Sequence, residues 1–259
     1  MSKLDEIVAY KRQELAETKK AQPVAQLEQE LKHRSPIRGF AAAIRRPGHL
    51  SLIAEIKKAS PSAGPIRPRA DVVEVAKIYA GAGAQAISVL TDAKFFSGNL
   101  KDLAAAREKV SLPILRKDFL IEEYQVVETA AAGADALLLI VAILERPALK
   151  RLLGLARDLS LDALVEVHSD PELEEALEAG AEVIGINNRD LKTLQVDLKT
   201  TQRLLARIPS GRVRVSESGI RSRADVEFVQ GQGADAILVG EELMASDDPA
   251  KKIKELMGS

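Results

Sequence analysis

The chain has 259 residues, 46% of them hydrophobic, which is enough to bury one large core. Its 37 lysines and arginines nearly balance its 38 aspartates and glutamates, so no charge excess indicates a nucleic acid or a membrane as a partner. The lack of cysteine excludes disulfides and thiolate metal sites, and three scattered histidines do not predict a histidine metal site. With no secretion signal and no apolar run long enough to span a bilayer, we expect a soluble, cytoplasmic protein.

The first 48 residues predict a helical extension. Residues 3–20 carry apolar side chains at helical spacing, and residues 23–33 predict a second, shorter helix. Residues 34–49 then contain prolines and glycines that indicate turns. We expect this segment, residues 1–48, to lie over the mouth of the domain formed by residues 49–259.

From residue 50 onward, short apolar segments alternate with helical patterns, which is typical of a parallel sheet. The predicted strands are 51–57, 86–90, 113–117, 136–141, 163–167, 183–187, 212–217 and 236–240. The predicted helices are 71–82, 100–109, 122–132, 145–159, 170–179, 197–207, 222–231 and 248–257. Eight such units predict an α/β fold, a (β/α)8 TIM barrel with an N-terminal helical extension, and an open doubly wound sheet is the competing architecture.

A repeated Gly-Ala-polar triplet supports the alternation. It ends a predicted helix and precedes a predicted strand at residues 83–85, 133–135, 180–182 and 233–235, where glycine suits the helix C-cap. Two Gly-x-Gly-x-x-Ala matches, at 81–86 and 231–236, also end helices. A dinucleotide site requires that motif to follow a strand and open a helix, so neither match indicates one.

The first predicted strand ends in charged residues. Glu55 and Lys57 share one face, because strand side chains alternate, and a buried carboxylate or ammonium is costly unless it is paired or used. Ser60 and Pro61 then end the strand. Active sites of parallel barrels lie at the carboxyl ends of the strands, so this stretch predicts part of one.

The other predicted strand ends add polar and aromatic groups to this set. The third, fifth, sixth and seventh carry Lys117, Glu166, Asn187 and Glu217. Loops after the seventh and eighth strands of barrels often hold a phosphate, and here they contain Ser218-Gly219 and Gly240. Phe96 and Phe119 either cap the core or face a ligand. The whole set suits an anionic, partly aromatic substrate that is transformed by proton transfer.

Single residues in this set have structural explanations as well. Lys57 and Lys117 could simply form ion pairs with Glu55 or Glu166. Two lysines with three glutamates over four strand ends favour a catalytic group instead. His168 has no partner that the sequence identifies, so we interpret it as a bystander rather than a base.

Taken in order, these segments resemble the indole-3-glycerol phosphate synthase family of tryptophan biosynthesis. The matching segments are residues 38–43, 53–62, 88–92, 95–98, 115–119, 137–141, 164–168, 184–191, 216–220 and 238–241. The resemblance implies a (β/α)8-barrel lyase that acts on 1-(2-carboxyphenylamino)-1-deoxyribulose 5-phosphate. It implies closure of the indole ring with decarboxylation and dehydration, and no metal or organic cofactor. The alternatives are a barrel that isomerises a sugar phosphate or forms a Schiff base, and a phosphate-binding barrel without turnover.

The resemblance also implies catalytic roles. Lys117 would be the general acid that protonates the ribulose carbonyl, with its pKa brought toward neutrality by burial beside another cation. Glu166 and Lys57 would share the later proton transfers, and which of them serves dehydration stays open. Glu55 would orient Lys57 or Lys117. The implied catalytic set is Lys117, Glu166, Lys57, Glu55, Asn187 and Glu217.

The remaining implied residues bind the substrate. Phosphate binding falls to Ser218, Gly219, Gly240 and the backbone N–H of Glu241, whose carboxylate we expect to turn away from the phosphate. The substrate carboxylate and the aromatic ring would be met by Ser60, Arg189, Phe96, Phe119, Leu138 and Leu191. The expected partner is therefore a small phosphorylated molecule, and charged helix faces favour a monomer over a dimer.

Overall fold

A computed structural model describes residues 3–190 and 193–258 of the chain. Its strands are β1 (Ser51–Ile56), β2 (Ala59–Ser60), β3 (Gly64–Pro65), β4 (Ala86–Leu90), β5 (Ile114–Lys117), β6 (Ala136–Ile140), β7 (Asp162–Val167), β8 (Val183–Asn187), β9 (Val213–Glu217) and β10 (Ala236–Val239). Eight of these strands close into a parallel barrel in the order β1-β10-β9-β8-β7-β6-β5-β4, while β2 and β3 form a small hairpin. The first strand closes the barrel by pairing with both β10 and β4, since Ile53 of β1 pairs with Leu238 on one side and with Ala86 on the other. The predicted barrel is confirmed, and the open sheet is excluded.

Helices surround the barrel and cover its ends. They are α1 (Lys3–Ala21), α2 (Val24–Leu31), α3 (Phe40–Ile44), α4 (Val72–Gly81), α5 (Ala93–Phe96), α6 (Leu100–Lys109), α7 (Glu123–Ala131), α8 (Arg146–Asp158), α9 (Asp170–Ala179), α10 (Lys199–Leu205), α11 (Arg223–Gly231), α12 (Glu241–Ala245) and α13 (Pro249–Met257). A 3-10 turn, Val141–Ile143, follows β6. Every predicted helix and strand is present with its ends within two residues of the prediction. Helices α3, α5 and α12 were not predicted, because four or five residues are too few to establish a helical period.

Alternate residues of each strand supply two apolar layers. Leu52 and Ala54 of β1 pack between the sheet and the surrounding helices. Ile53, Leu115 and Leu164 point into the barrel and fill its interior. This two-sided burial explains why the strands appear in the sequence as continuous apolar runs rather than as alternating ones.

The N-terminal extension reaches both ends of the barrel. Phe40 and Ile44 of α3 are fully buried in the interior layer, and the Ala41 N–H donates to Asp162 Oδ2, 2.8 Å away, at the start of β7. Helix α3 therefore covers the amino ends of the strands. Ile7 of α1 belongs to the same layer but lines the cavity at the carboxyl ends. Among the described helices, none is both long and apolar enough to cross a membrane.

Candidate active site

One cavity opens at the carboxyl ends of the barrel strands. Fifteen of the sixteen predicted site residues line it: Glu55, Lys57, Ser60, Phe96, Lys117, Phe119, Leu138, Glu166, Asn187, Arg189, Glu217, Ser218, Gly219, Gly240 and Glu241. The sixteenth, Leu191, lies outside the described residues. The sequence did not identify three residues of α1, Lys3, Leu4 and Ile7, that also line the cavity. Side chains from distant parts of the chain therefore meet in one place, while their roles stay predictions.

Lys117 is at the centre of the charged part of the cavity. Its Nζ lies 2.9 Å from Glu166 Oε2 and 3.0 Å from Glu217 Oε2. The side chains of both glutamates are only 2% exposed, so this is a buried ammonium between two buried carboxylates. We call Lys117, Glu166 and Glu217 the Lys117 cluster. Beside it, Lys57 Nζ lies 2.9 Å from Glu55 Oε1, so Glu55 forms its ion pair with Lys57.

Charge coupling sets the protonation of Lys117. Burial alone favours the neutral amine, but the carboxylates of Glu166, Glu217 and Glu55 outweigh it and raise the pKa of Lys117 above its ordinary value. The expectation that a neighbouring cation lowers this pKa is therefore wrong, because the contacts that the structure describes for this lysine are with carboxylates. Lys117 is consequently an ammonium at neutral pH.

The two glutamates of the Lys117 cluster differ in their acidity. Burial raises the pKa of Glu217 to about 7, since Lys117 only partly offsets the cost of an ionised carboxylate beside Glu166. Burial acts in the same direction on Glu166, but Lys117 and His168 outweigh it and hold the pKa of Glu166 below its ordinary value. Neither oxygen of Glu217 accepts a hydrogen bond from a described residue, although Lys117 is close. One glutamate is thus held ionised while the other titrates near neutrality.

Two glycines make room for these carboxylates. A Cβ atom on Gly185, in the middle of β8, would lie 2.0 Å from Glu217 Oε1. A Cβ atom on Gly240 would lie 2.3 Å from Glu55 Oε1. The sequence analysis did not identify Gly185, although a glycine inside a buried strand often indicates a close approach by another group.

The loop after β9 has a backbone shape that suits an anion. Ser218 and Gly219 both have positive φ, 65° and 81°. The Asn188 side-chain amide holds this conformation by donating to the carbonyl oxygens of Glu217 and Ser218. A Cβ on Gly219 would lie 2.4 Å from Val196 Cγ1, so both φ and space favour glycine there.

Arg189 and Glu241 face each other across the cavity rim. Nη2 of Arg189 lies 3.5 Å from Oε2 of Glu241, and both side chains are partly exposed. The Arg189 N–H donates to Asn187 Oδ1 at 3.0 Å, which ties the start of this loop to the end of β8. The Glu241 carboxylate is thus directed toward a guanidinium.

Apolar and aromatic side chains form another part of the cavity wall. The rings of Phe96 and Phe119 lie with centroids 6.0 Å apart at an interplanar angle of 39°. Leu138 of β6 is 2% exposed and also lines the cavity. Such surfaces accommodate a flat apolar ring.

A second buried ion cluster fastens α1 to the barrel. Lys11 Nζ lies 3.0 Å from Asp92 Oδ2 and 2.9 Å from Asp118 Oδ1, while Arg116 Nη2 lies 3.1 Å from Asp118 Oδ2. We call Lys11, Asp92, Asp118 and Arg116 the Lys11 cluster. Burial opposes ionisation of Asp118, but Arg116 and Lys11 outweigh it and lower its pKa to about 2. Because Asp118 follows Lys117 in the chain, this cluster also fixes the end of β5.

His168 has two acidic neighbours that the sequence did not reveal. Its Nδ1 lies 3.1 Å from Glu172 Oε2, and its Nε2 lies 3.4 Å from Glu166 Oε1. Burial opposes protonation of the ring, but Glu172, Glu166 and Glu217 outweigh it and raise the pKa of His168. The structure thus supplies the partners of His168 that the sequence could not identify, while its interpretation as a bystander stays a prediction.

The fold and the ring of lysines and glutamates define a (β/α)8-barrel enzyme of the general acid–base class. The family model described as indole-3-glycerol phosphate synthase matches residues 4–256, and the chain belongs to that family. Its activity is the carboxy-lyase reaction of tryptophan biosynthesis, in which the indole ring of 1-(2-carboxyphenylamino)-1-deoxyribulose 5-phosphate is closed with decarboxylation and dehydration.

Curated relatives agree with this assignment along almost the whole chain. An indole-3-glycerol phosphate synthase of Roseiflexus sp. (strain RS-1) is 48% identical, covering 98% of both chains. One from Caldanaerobacter subterraneus subsp. tengcongensis is 46% identical over 98% of this chain and 97% of its own. Indole-3-glycerol phosphate synthase 2 of Streptomyces coelicolor is 50% identical over 86% of each.

Solved structures with low sequence identity share the barrel. A 3-hexulose-6-phosphate synthase from Salmonella typhimurium has a TM-score of 0.66 at 13% identity, covering 81% of this chain and 97% of its own. A thiamine phosphate pyrophosphorylase from Pyrococcus furiosus has a TM-score of 0.61 at 19% identity, covering 80% and 93%. At such identities the likeness concerns the fold alone.

Proposed function

We propose that Lys117 is the general acid of ring closure in this chain. The observation that carries the proposal is the buried position of its ammonium in the cavity, within 3.0 Å of both Glu166 and Glu217. The carboxylates keep Lys117 protonated, which is the form that a general acid needs before the reaction. As the ring carbon that bears the carboxylate attacks the ribulose carbonyl carbon, the carbonyl oxygen takes a proton from Lys117 and becomes a hydroxyl group.

The later steps need a second set of proton transfers. Loss of carbon dioxide leaves its bonding electrons in the ring and restores aromaticity, and the new hydroxyl must then leave as water. We assign these transfers to Glu166 and Lys57, because a carboxylate held ionised accepts a proton and an ammonium supplies one. Glu55 orients Lys57, and Asn187 and Glu217 complete the polar ring.

We assign the substrate phosphate to the loops after β9 and β10. Ser218 and Gly219 have positive φ angles, a backbone shape that suits an anion, and Gly240 and the N–H of Glu241 lie at the start of α12. The Glu241 carboxylate is paired with the Arg189 guanidinium, which offsets its repulsion of the phosphate.

We assign the carboxyphenyl group to another part of the cavity. Ser60 and Arg189 bind its carboxylate, and the ring stacks within an apolar wall. That wall comprises Phe96, Phe119 and Leu138, together with residues of α1. The family resemblance adds Leu191, which lies outside the described residues. Holding both ends of the substrate places the attacking carbon against the carbonyl, and such positioning supplies a large part of the rate.

Substitution of Glu166 by glutamine tests this assignment. With purified protein, chelator and no added metal, the product indole is followed by fluorescence against a low background, because the chain has no tryptophan. We expect Glu166→Gln to lower kcat by roughly 10²- to 10⁴-fold while binding of the phosphorylated substrate is kept. Glu174→Gln, an exposed charge removal on α9, is the control and should match the wild type. Equal turnover by Glu166→Gln would contradict the role.

We also propose that the chain acts as a monomer in the cytoplasm. Of the described residues, the large apolar side chains that are exposed are Val24, Ile78 and Leu194, and Leu194 belongs to the cavity. Single exposed apolar residues do not make the contiguous patch that a stable interface needs. Sedimentation at micromolar concentration should give the mass of one chain, and a dimer mass would contradict the proposal.

A further inference from the structure

His168 stands between two carboxylates at the end of β7. Its ring is held on one side by Glu172, whose Oε2 lies 3.1 Å from Nδ1. On the other side, Nε2 points to Glu166 Oε1 at 3.4 Å and makes no hydrogen bond to a described residue. Because the His168 side chain is 13% exposed, the orientation of this nitrogen toward Glu166 has little competition from bulk water.

Glu172 is itself fixed, so the ring orientation is not accidental. Its Oε2 also accepts from the backbone N–H of His168 at 2.8 Å, and its Oε1 accepts from the Ser169 hydroxyl at 3.0 Å. Ser169 is the N-cap of α9, which means that the helix start does not depend on the imidazole. The His168 side chain is therefore free for a purpose other than capping.

The two oxygens of Glu166 face two different cationic groups. Oε2 lies 2.9 Å from the Lys117 ammonium, and Oε1 lies 3.4 Å from His168. The charged groups that act most strongly on the imidazole are Glu172 on α9, Glu166 on β7 and Glu217 on β9, and together they raise the pKa of His168 and favour the imidazolium. Glu166 is thus held between an ammonium and an imidazolium.

We propose that His168, oriented by Glu172, is a positioning residue for this reaction, which holds Glu166 in place and keeps its carboxylate ionised. The inference rests on the proposed role of Glu166 as a proton acceptor. When Lys117 loses its proton to the substrate, Glu166 loses the charge of its nearest cation, and the imidazolium remains to oppose premature protonation of the carboxylate. An amide or an apolar side chain at position 168 could pack there but could not supply that charge.

The pH profile of kcat tests the proposal, because a purely structural role would not move it. In His168→Asn, the acidic limb of the profile should shift upward by about one pH unit, since an opposite charge at this distance is removed. Well below the pKa of Glu166 this corresponds to roughly a 10-fold loss of kcat, and the loss should disappear toward neutral pH, because the pKa of Glu166 lies below its ordinary value. The KM should change by less than about 2-fold, because His168 does not line the cavity.

Glu172→Gln provides a second variant that keeps the imidazole and removes only its anionic partner. It should shift the acidic limb in the same direction by a smaller amount. Glu174→Gln removes the same charge from the same helix at a side chain that is 61% exposed, so it is the matched control and should leave the profile unchanged.

Acidic limbs of His168→Asn and Glu172→Gln that coincide with the wild type, with only the melting temperature lowered, would overturn the inference. That failure is distinguishable from a failure of the assigned mechanism. If Glu166→Gln is as active as the wild type, the role of Glu166 itself is wrong. If Glu166→Gln is inactive and the His168 profiles are unshifted, only the positioning role is wrong.

Discussion

Two buried ion clusters lie close together in this barrel and behave in opposite ways. In the Lys11 cluster, both oxygens of Asp118 are fully used: Oδ1 accepts from the Phe119 N–H and contacts Lys11, and Oδ2 accepts from the Thr91 hydroxyl and contacts Arg116. In the Lys117 cluster, neither oxygen of Glu217 accepts a hydrogen bond from the described residues. Asp118 is therefore fully hydrogen-bonded while Glu217 is left under-satisfied, and Asp92 Oδ2 of the Lys11 cluster likewise contacts its lysine without accepting a hydrogen bond from the described residues.

The difference appears in acidity. Two cations lower the pKa of the buried Asp118 to about 2, whereas one cation shared with Glu166 leaves the pKa of Glu217 at about 7. A satisfied buried network fixes structure and stays ionised. A site with an excess of carboxylates keeps a proton exchangeable near neutral pH, which is what acid–base chemistry requires.

The largest expected effect comes from removing the cation of the Lys117 cluster. Lys117→Met should lower kcat by roughly 10³-fold, because the proton donor is lost, while the cavity keeps its size. Its loss of stability should be smaller than that of Lys11→Met, because Glu217 can become neutral at little cost and Glu166 still faces His168. Steady-state kinetics measure the first effect and thermal unfolding the second. Near-normal turnover by Lys117→Met would contradict the assignment of Lys117 as the general acid of ring closure.

The corresponding change in the Lys11 cluster should do the reverse. Lys11→Met leaves Asp92 and Asp118 without their shared cation, and breaking a buried pair of this kind costs about 3–5 kcal/mol of unfolding free energy. Urea unfolding measures this cost. Activity per folded molecule should fall far less than in Lys117→Met, and a loss of stability below about 1 kcal/mol would show that the cluster is not structural.

Glu217→Gln sharpens the comparison through pH. The pKa of Glu217 is raised on folding, so its contribution to stability is fully present below about pH 4.5 and is lost as pH rises through about 7. Glutamine does not titrate. Between pH 5 and pH 8, the unfolding free energy of the variant should therefore fall by on the order of 2 kcal/mol less than that of the wild type. The pKa of His168 is also raised, so its contribution to the unfolding free energy falls over the same pH range. This change occurs in both the wild type and the variant, and it cancels in the comparison. Parallel stability curves in urea unfolding would contradict the raised pKa.

A smaller effect is expected at the candidate phosphate loop. Gly219→Ala places a Cβ at positive φ and against Val196, so the loop must shift, and KM should rise by roughly 10-fold, or about 1.4 kcal/mol. Gly154→Ala, in an open position of α8, is the control and should leave KM unchanged. An unchanged KM in Gly219→Ala would remove this loop from substrate binding.

The sequence could predict the barrel, because apolar periodicity and glycine C-caps are local. It could also predict which strand ends carry charge, since Lys117 ends one strand and Glu166 lies near the end of another. It could not predict their partners, because those contacts join residues far apart in the chain. The pKa of Lys117 was misjudged for that reason, and the pairing of Lys11 in α1 with Asp92 and Asp118 was not visible.

The sequence also could not reveal close contacts between residues that are far apart in the chain. In the sequence, Gly185 is an ordinary strand residue. Only the structure shows that the Glu217 carboxylate occupies the space that a side chain at this position would need. His168 lacked a partner until Glu172 and Glu166 were brought to either side of its ring. Helix α3 is too short for its period to be recognised, although its burial under the barrel is complete at Phe40 and Ile44.

The contrast between the clusters is tested most directly by titrating two carboxyl groups in one sample. Carbon-13 NMR of the side-chain carboxyls, assigned by comparison with Glu217→Gln and Asp118→Asn, follows each ionisation separately. We expect Glu217 to titrate near pH 7 and Asp118 to remain ionised down to about pH 2. Titration of Glu217 near pH 4.5, the ordinary value for glutamate, would contradict the account of an under-satisfied catalytic cluster.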